Sequence, residues 1–182
     1  MIKKFLTILF LLFGLMLLFY ISLPNFDFPA PPPGSLQSRE PADSETPLRR
    51  AYFTNLNREE VMSWYKNEFA RSKLKGIALP TYRLNYPPEE AQTIIRDQTR
   101  STFLEEIVHP FRESVFINGF EPTLSKDAIN IEGRHWRQKI IIRYVSSTIL
   151  YRLFVFAWVV VLYTALTFSW KKTLRDIKKN EV

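Results

Sequence analysis

The sequence predicts an α+β fold, in which two transmembrane helices flank an extracytoplasmic antiparallel sheet with two helices packed on one face. Residues 5–23 and 153–170 carry no charged side chain, and each run approaches the roughly 20 residues needed to cross a bilayer core. Between these runs, segments rich in β-branched and aromatic residues alternate with two segments of helical periodicity. That mixture is typical of a sheet covered by helices on one side.

The apolar runs and the shifts in composition divide the chain into six segments. They are a cytoplasmic N-terminus (1–4), a first transmembrane helix (5–23), a Pro-rich linker (24–47), an extracytoplasmic α+β domain (48–147), a second transmembrane helix (148–170) and a basic cytoplasmic tail (171–182).

The charge of the chain predicts its orientation in the membrane. The formal net charge is +7, yet residues 24–147 hold 17 Lys plus Arg against 16 Asp plus Glu, so the excess lies beside the apolar runs. The positive-inside rule then places both termini in the cytoplasm and residues 24–147 outside it, in a multi-pass protein of the cell membrane. The nearly neutral middle lacks the concentrated basic face that nucleic-acid binding needs.

The first apolar run has two interpretations. It is either an uncleaved anchor or a cleaved signal peptide, and its length exceeds the usual 7 to 15 residues of a signal peptide core. The sequence "PPP" that follows Ala30 is also a poor cleavage site, so the anchor is favoured.

The linker holds seven of the twelve prolines of the chain. Such a composition favours extended polyproline II, with a reach of roughly 75 Å for 24 residues at about 3.1 Å each. We therefore expect a loose spacer, with a proline-motif docking site as the alternative.

The domain opens with a predicted strand at residues 48–54 and a helix at residues 57–72. Asn57 and Glu60 form the pattern of a capping box at the start of the helix. The helix then carries an apolar stripe at helical spacing, made of Val61, Trp64, Tyr65 and Phe69. Trp64 and Tyr65 are either core residues or, with Trp136, part of a binding face.

The same stretch resembles small, uncharacterised extracytoplasmic α+β modules of membrane-anchored bacterial envelope proteins. In these modules a strand leads into a helix written roughly Thr-x-Glu-Glu-Val-x-x-aromatic-Tyr. The matching residues are Thr54, Glu59, Glu60, Val61, Trp64 and Tyr65, although Thr54 lies further from the helix than in that pattern. The resemblance covers about 25 residues, and it implies a fold without implying a catalytic site.

The remaining strands and helix are predicted from turn residues, helical periodicity and the alternation of apolar with polar residues. Strands are predicted at 75–86 and 113–120, a helix at 87–100, and a hairpin around Gly133 whose return strand runs to residue 145. Residues 102–109 read either as a strand or as an extension of the preceding helix. The pair Asn118-Gly119 predicts a tight turn.

The return strand reaches the second apolar run after only Ser146, Ser147 and Thr148. Three residues span at most about 10 Å, so we expect the sheet to be held against the outer membrane face. Cationic and aromatic residues beside the two ends of this run are candidate membrane-interface anchors, and Arg152 is expected to snorkel to the headgroups. The anchors are Lys139, Arg143, Tyr151, Arg152, Trp170, Lys171 and Lys172.

Catalytic chemistry has weak support. His109 follows Glu105 and Glu106, and His135 lies near Glu132, but a metal site needs three or four convergent ligands. The acidic residues at 105, 106 and 113 are expected to form exposed cross-strand pairs with Arg100 and Arg112, with part of a binding face as the alternative. The five glycines form no phosphate loop, and no serine lies in a Gly-x-Ser-x-Gly elbow. The sequence therefore predicts no metal or other cofactor.

We therefore expect a non-enzymatic assembly, scaffold or accessory subunit of a membrane or envelope complex. Its expected partners are then membrane lipids and a membrane or envelope protein. Self-association into a homo-oligomer is also open to it. The alternative is a module that binds a lipid or cell-wall ligand at the membrane surface, and the least favoured reading is a membrane-tethered hydrolase.

Overall fold

The computed structural model describes residues 2–71, 78–87 and 101–180. The chain divides into two compact units, one made of the chain up to Pro24 together with Ser147 onward, and one made of Asn25–Ser146. Each unit is described by itself below. The predicted helix at 87–100 lies outside the described residues, apart from Pro87 at its start.

The first unit is a pair of long helices, α1 (Ile2–Ser22) and α3 (Ile149–Asn180). Both are long and apolar enough to cross a membrane, over Lys4–Ser22 and Ile149–Ile177. The rings of Phe10 and Tyr163 stack at 4.7 Å between centroids, so the helices are in contact. The helix α3 continues into the predicted basic tail as far as Asn180.

The second unit contains a six-stranded antiparallel sheet. Its strands are β1 (Leu36–Gln37), β2 (Arg49–Thr54), β3 (Tyr82–Tyr86), β4 (Phe103–Val108), β5 (Ser114–Phe120) and β8 (Gln138–Val145). They lie in the order β1-β2-β8-β5-β4-β3. The predicted α+β class is confirmed, and residues 103–108 are a strand.

A separate small hairpin joins β6 (Ile129–Ile131) to β7 (Arg134–Trp136). Its turn residues Glu132 and Gly133 have φ of 52° and 72°, the left-handed pair that a type I′ turn requires. The prediction of a turn at Gly133 is confirmed. The prediction of a single return strand is wrong, because the chain leaves this hairpin at Arg137 and joins the main sheet from Gln138.

The helix α2 (Arg58–Ala70) packs on one face of the sheet. The capping box is present: the Asn57 side chain accepts from the backbone N–H of Glu60, and the Glu60 side chain accepts from that of Asn57. Alternation in β8 places Ile140, Ile142 and Tyr144 in the core. The core also takes Tyr52, Val61, Met62, Tyr65, Phe69, Phe103, Ile107, Val115 and Ile117.

Gly119 lies inside a strand, and the tight turn predicted for Asn118-Gly119 is wrong. Gly119 pairs with Phe103 on one side and Ile140 on the other. A Cβ at position 119 would lie 2.0 Å from the Phe103 ring. The glycine therefore leaves room for a neighbouring aromatic ring, a packing role that local sequence does not reveal.

Candidate functional site

The segment 25–47, here called the strap, lies on the domain, which differs from the predicted loose spacer. Phe26 and Phe28 pack against the core, and the Tyr144 hydroxyl donates to the Phe26 carbonyl at 2.8 Å. The indole N–H of Trp64 donates to the carbonyl of Ala30 at 3.2 Å. Packing of the two phenylalanine rings against the core stabilises this position of the strap. The spacing of Phe26 and Phe28, two residues apart in the sequence, was the signal that could have predicted this packing.

The proposed binding face of Trp64, Tyr65 and Trp136 is not assembled. Tyr65 is fully buried in the core, and that burial raises the pKa of its hydroxyl well above the usual value. Trp136 is buried in the small β6–β7 hairpin, and Trp64 is half-buried and holds the strap. These three side chains therefore stabilise the fold.

His109 lies in a buried cluster at the β4–β5 loop (residues 109–113). Its ring stacks on Phe69 at 4.0 Å, and its Nδ1 lies 3.3 Å from Oε1 of Glu113. Arg112 donates to the same oxygen at 2.9 Å. Burial raises the pKa of Glu113, but hydrogen bonds from His109 and Arg112 outweigh it and lower that pKa to about 2.

This cluster is a structural support. His109 and Glu113 have no exposed surface, so neither side chain is within reach of a substrate in the surrounding water. His135 lies elsewhere and contacts Asn130 at 3.3 Å. In the part of the chain that the structure describes, no group of three or more His, Asp or Glu side chains is placed to hold a metal ion.

The acidic residues predicted on the surface are buried. The carboxylate of Glu105 accepts from Arg58 at 2.6 Å and from Arg83 at 2.8 Å, and it has no exposed surface. Arg83 also binds Glu59, at 2.6 and 2.8 Å. The hydrogen bonds that Arg83 donates to Glu59 and Glu105 raise the pKa of Arg83, and the bond to Glu59 lowers the pKa of Glu59.

Glu106 points to the opposite face of the sheet, where it accepts a hydrogen bond from Tyr86. The prediction of exposed cross-strand pairs is therefore wrong for Glu105, Glu106 and Glu113. Tertiary contacts supply the counter-charges that make burial of Glu105 and Glu113 tolerable.

The candidate membrane anchors have different environments. Lys139 binds Glu40 and Asp43, both at 2.7 Å, and these acids raise its pKa although burial opposes the rise. Arg152 is 5% exposed and donates to the carbonyls of Leu23 at 3.3 Å and Ser147 at 3.0 Å. It joins the end of α1 to the start of α3, a geometry that differs from snorkelling.

The other anchors are exposed. Tyr151 and Trp170 expose about 70% of their surface, and Arg143, Lys171 and Lys172 are also exposed. Their role at the membrane interface stays a prediction.

The main candidate for a functional feature is one edge of the sheet, here called the junction edge. It is formed by the end of β8, the start of β2 and the β4–β5 loop. Register pairs Ser114 with Val145, and the N–H of Tyr144 donates to the carbonyl of Leu48 at 2.8 Å. The strap also begins here, because the backbone N–H of Phe26 donates to Glu113 at 3.4 Å. Both chain connections to the helical unit therefore leave the domain at this edge.

A cavity of about 470 Å³ opens beside the junction edge on the face of the sheet opposite α2. Its walls are partly apolar, from Phe116, Ile141 and Val145, and it contains two cations, Arg49 and Arg143, which are paired in register. Glu45 lies 3.3 Å from Arg49. The cavity combines apolar walls with positive charge.

Comparison with protein-family models, curated proteins and solved structures finds no match to this chain. The resemblance at residues 54–65 therefore stays a prediction, and function has to be argued from geometry.

Proposed function

We propose that this protein is a membrane-anchored, non-enzymatic assembly, scaffold or accessory subunit, with its α+β domain outside the cytoplasm. The observation that carries the proposal is the junction edge. The two connections of the domain leave from one edge, and the strap is fixed there by Tyr144 and Glu113. A domain attached in this way would present one constant set of surfaces to a partner.

The buried state of the polar clusters supports a non-enzymatic role. His109, Glu113 and Glu105 all lack exposed surface, and the carboxylates of Glu105 and Glu113 are paired with Arg58 and Arg112. An active site needs such groups within reach of a substrate.

The outer domain also exposes apolar side chains to a potential partner. Tyr82 and Leu84 expose 58% and 45% of their surface on β3, which stands at one end of the strand order. Tyrosine is among the residues enriched where protein partners bind. They are the positions at which we would introduce a photo-crosslinking amino acid.

Native mass spectrometry of protein extracted gently from its own membrane tests the proposal. We expect a stoichiometric protein partner, and we expect a crosslinker at Tyr82 to form one discrete adduct with that partner. The matched position is Leu124, also exposed, which should give none. A chain that is extracted alone and forms no adduct in its native membrane would refute the proposal.

The cavity favours a second function, the binding of an anionic amphiphile. Arg143 would meet its charged group, since Arg49 already pairs with Glu45, and Phe116, Ile141 and Val145 would meet its apolar part. A lipid retained in the same mass spectra, and lost in Arg143→Gln, would favour this function over the first.

The orientation is tested separately. The chain has no cysteine, and Ser44 and Thr173 are exposed, so single-cysteine variants at these positions can be labelled in intact cells. We expect an impermeant thiol reagent to label Ser44→Cys and to leave Thr173→Cys unlabelled. The reverse pattern would refute the orientation.

A further inference from the structure

Phe111 is a large apolar side chain held in an unfavourable conformation on the surface. It lies in the β4–β5 loop, 77% exposed, with a φ of 61°. A residue other than glycine costs about 1–2 kcal/mol in this left-handed region. Neither the exposure nor the strain of Phe111 stabilises the domain, so a local structural role does not account for it.

The loop around Phe111 is nevertheless fixed. The backbone N–H of His109 donates to the carbonyl of Glu113, and that of Arg112 donates to the carbonyl of His109, each at 3.0 Å. The side chains of His109 and Glu113 are fully buried beneath the loop. The ring of Phe111 is therefore held outward by a loop whose base is part of the core.

The loop belongs to the junction edge, where other apolar side chains are also exposed. Leu48 and Val145 expose 40% and 39% of their surface. Only Ser146, Ser147 and Thr148 separate Val145 from Ile149, the first residue of α3. The four steps from 145 to 149 reach at most about 14 Å, which is the largest distance that the chain allows between Val145 and the first residue of an apolar helix.

We propose that the junction edge docks on the lipid bilayer, with the ring of Phe111 inserted among the headgroups. Aromatic side chains are favoured at that depth, and Leu48 and Val145 extend the apolar contact. Arg143, exposed near the end of β8, supplies a cation for lipid phosphates. The inference rests on the proposed membrane placement of α3.

Spin labelling of the full-length chain in lipid nanodiscs tests this proposal. A nitroxide is attached to Phe111→Cys, and its collisions with oxygen, which concentrates in lipid, are compared with those of a water-soluble nickel chelate. We expect the oxygen-to-nickel collision ratio to be at least threefold higher than at Leu124→Cys. Leu124 is a matched control, since it is 55% exposed and follows the opposite end of β5.

Two further labels separate the possible failures. Val160→Cys, in the middle of α3, reports the membrane placement, and Leu48→Cys reports the edge with Phe111 intact. A ratio at positions 111 and 48 equal to that at Leu124, with position 160 shielded from nickel, would refute the docking and leave the placement standing. Nickel access at position 160 would refute the placement. Shielding of position 111 from both reagents would indicate a protein contact and would also overturn the proposal.

Discussion

The substitution Glu113→Gln tests the buried cluster beneath the β4–β5 loop. The pKa of Glu113 falls from an ordinary 4.5 to about 2 in the folded chain, since hydrogen bonds from His109 and Arg112 favour the ionised carboxylate more than burial opposes it. At about 1.4 kcal/mol per pKa unit, the difference corresponds to roughly 3 kcal/mol at neutral pH. Removing one partner of a buried ion pair costs about 3–5 kcal/mol, which agrees in magnitude.

The pH dependence has a definite sign. Because the pKa of Glu113 is lower in the folded chain, its contribution to stability is complete above about pH 4.5 and is lost as the pH falls through 2. We therefore expect Glu113→Gln to be about 3 kcal/mol less stable than the natural chain at pH 7. Near pH 2 the two chains should approach equal stability.

Urea unfolding of the full chain in a mild detergent, followed by near-ultraviolet circular dichroism, measures this difference. The readout is the free energy of unfolding of both chains at pH 7, 4 and 2.5. Glu60→Gln, at an exposed carboxylate of the capping box, is the control for a surface charge. A destabilisation by Glu113→Gln that is the same at all three pH values would refute the assignment of the pH dependence to this residue.

Three further predictions use the same unfolding assay. Gly119→Ala should destabilise the domain by about 1–3 kcal/mol, because the new methyl group overlaps the Phe103 ring. Phe103→Leu in the same chain should recover part of that loss of stability. Equal losses with and without Phe103→Leu would contradict the packing argument. Asn57→Ala should cost about 1 kcal/mol by removing the cap of α2, with Asn57→Asp close to neutral. Phe111→Gly should leave stability unchanged or raise it, since glycine relieves the positive φ, and a clear loss would show that the ring stabilises the domain.

Local sequence patterns predicted the elements whose conformation depends mainly on interactions between neighbouring residues. The capping box at Asn57 and Glu60 starts α2, and the alternation through Ile140 and Ile142 places one side of β8 in the core. Gly133 marks a turn because its positive φ is a local requirement. The apolar helices are equally local, since their length and composition alone make them able to cross a membrane.

Other features depended on partners far away in the chain. Glu105 is buried because Arg58 and Arg83 reach it from α2 and β3, and the residues near position 105 do not predict either contact. Gly119 resembled a turn residue, although it lies in β5 to make room for the ring of Phe103.

The α+β class, the two apolar helices and the start of α2 were predictable from the amino-acid order, because periodicity, capping and hydrophobic length are properties of neighbouring residues. The packing of the strap on the domain, the burial of the acidic residues and the position of Phe111 beside the chain connections follow from the tertiary fold. Those outcomes depend on contacts between residues as distant as Phe26 and Tyr144, whose mutual placement exists only once the sheet has formed.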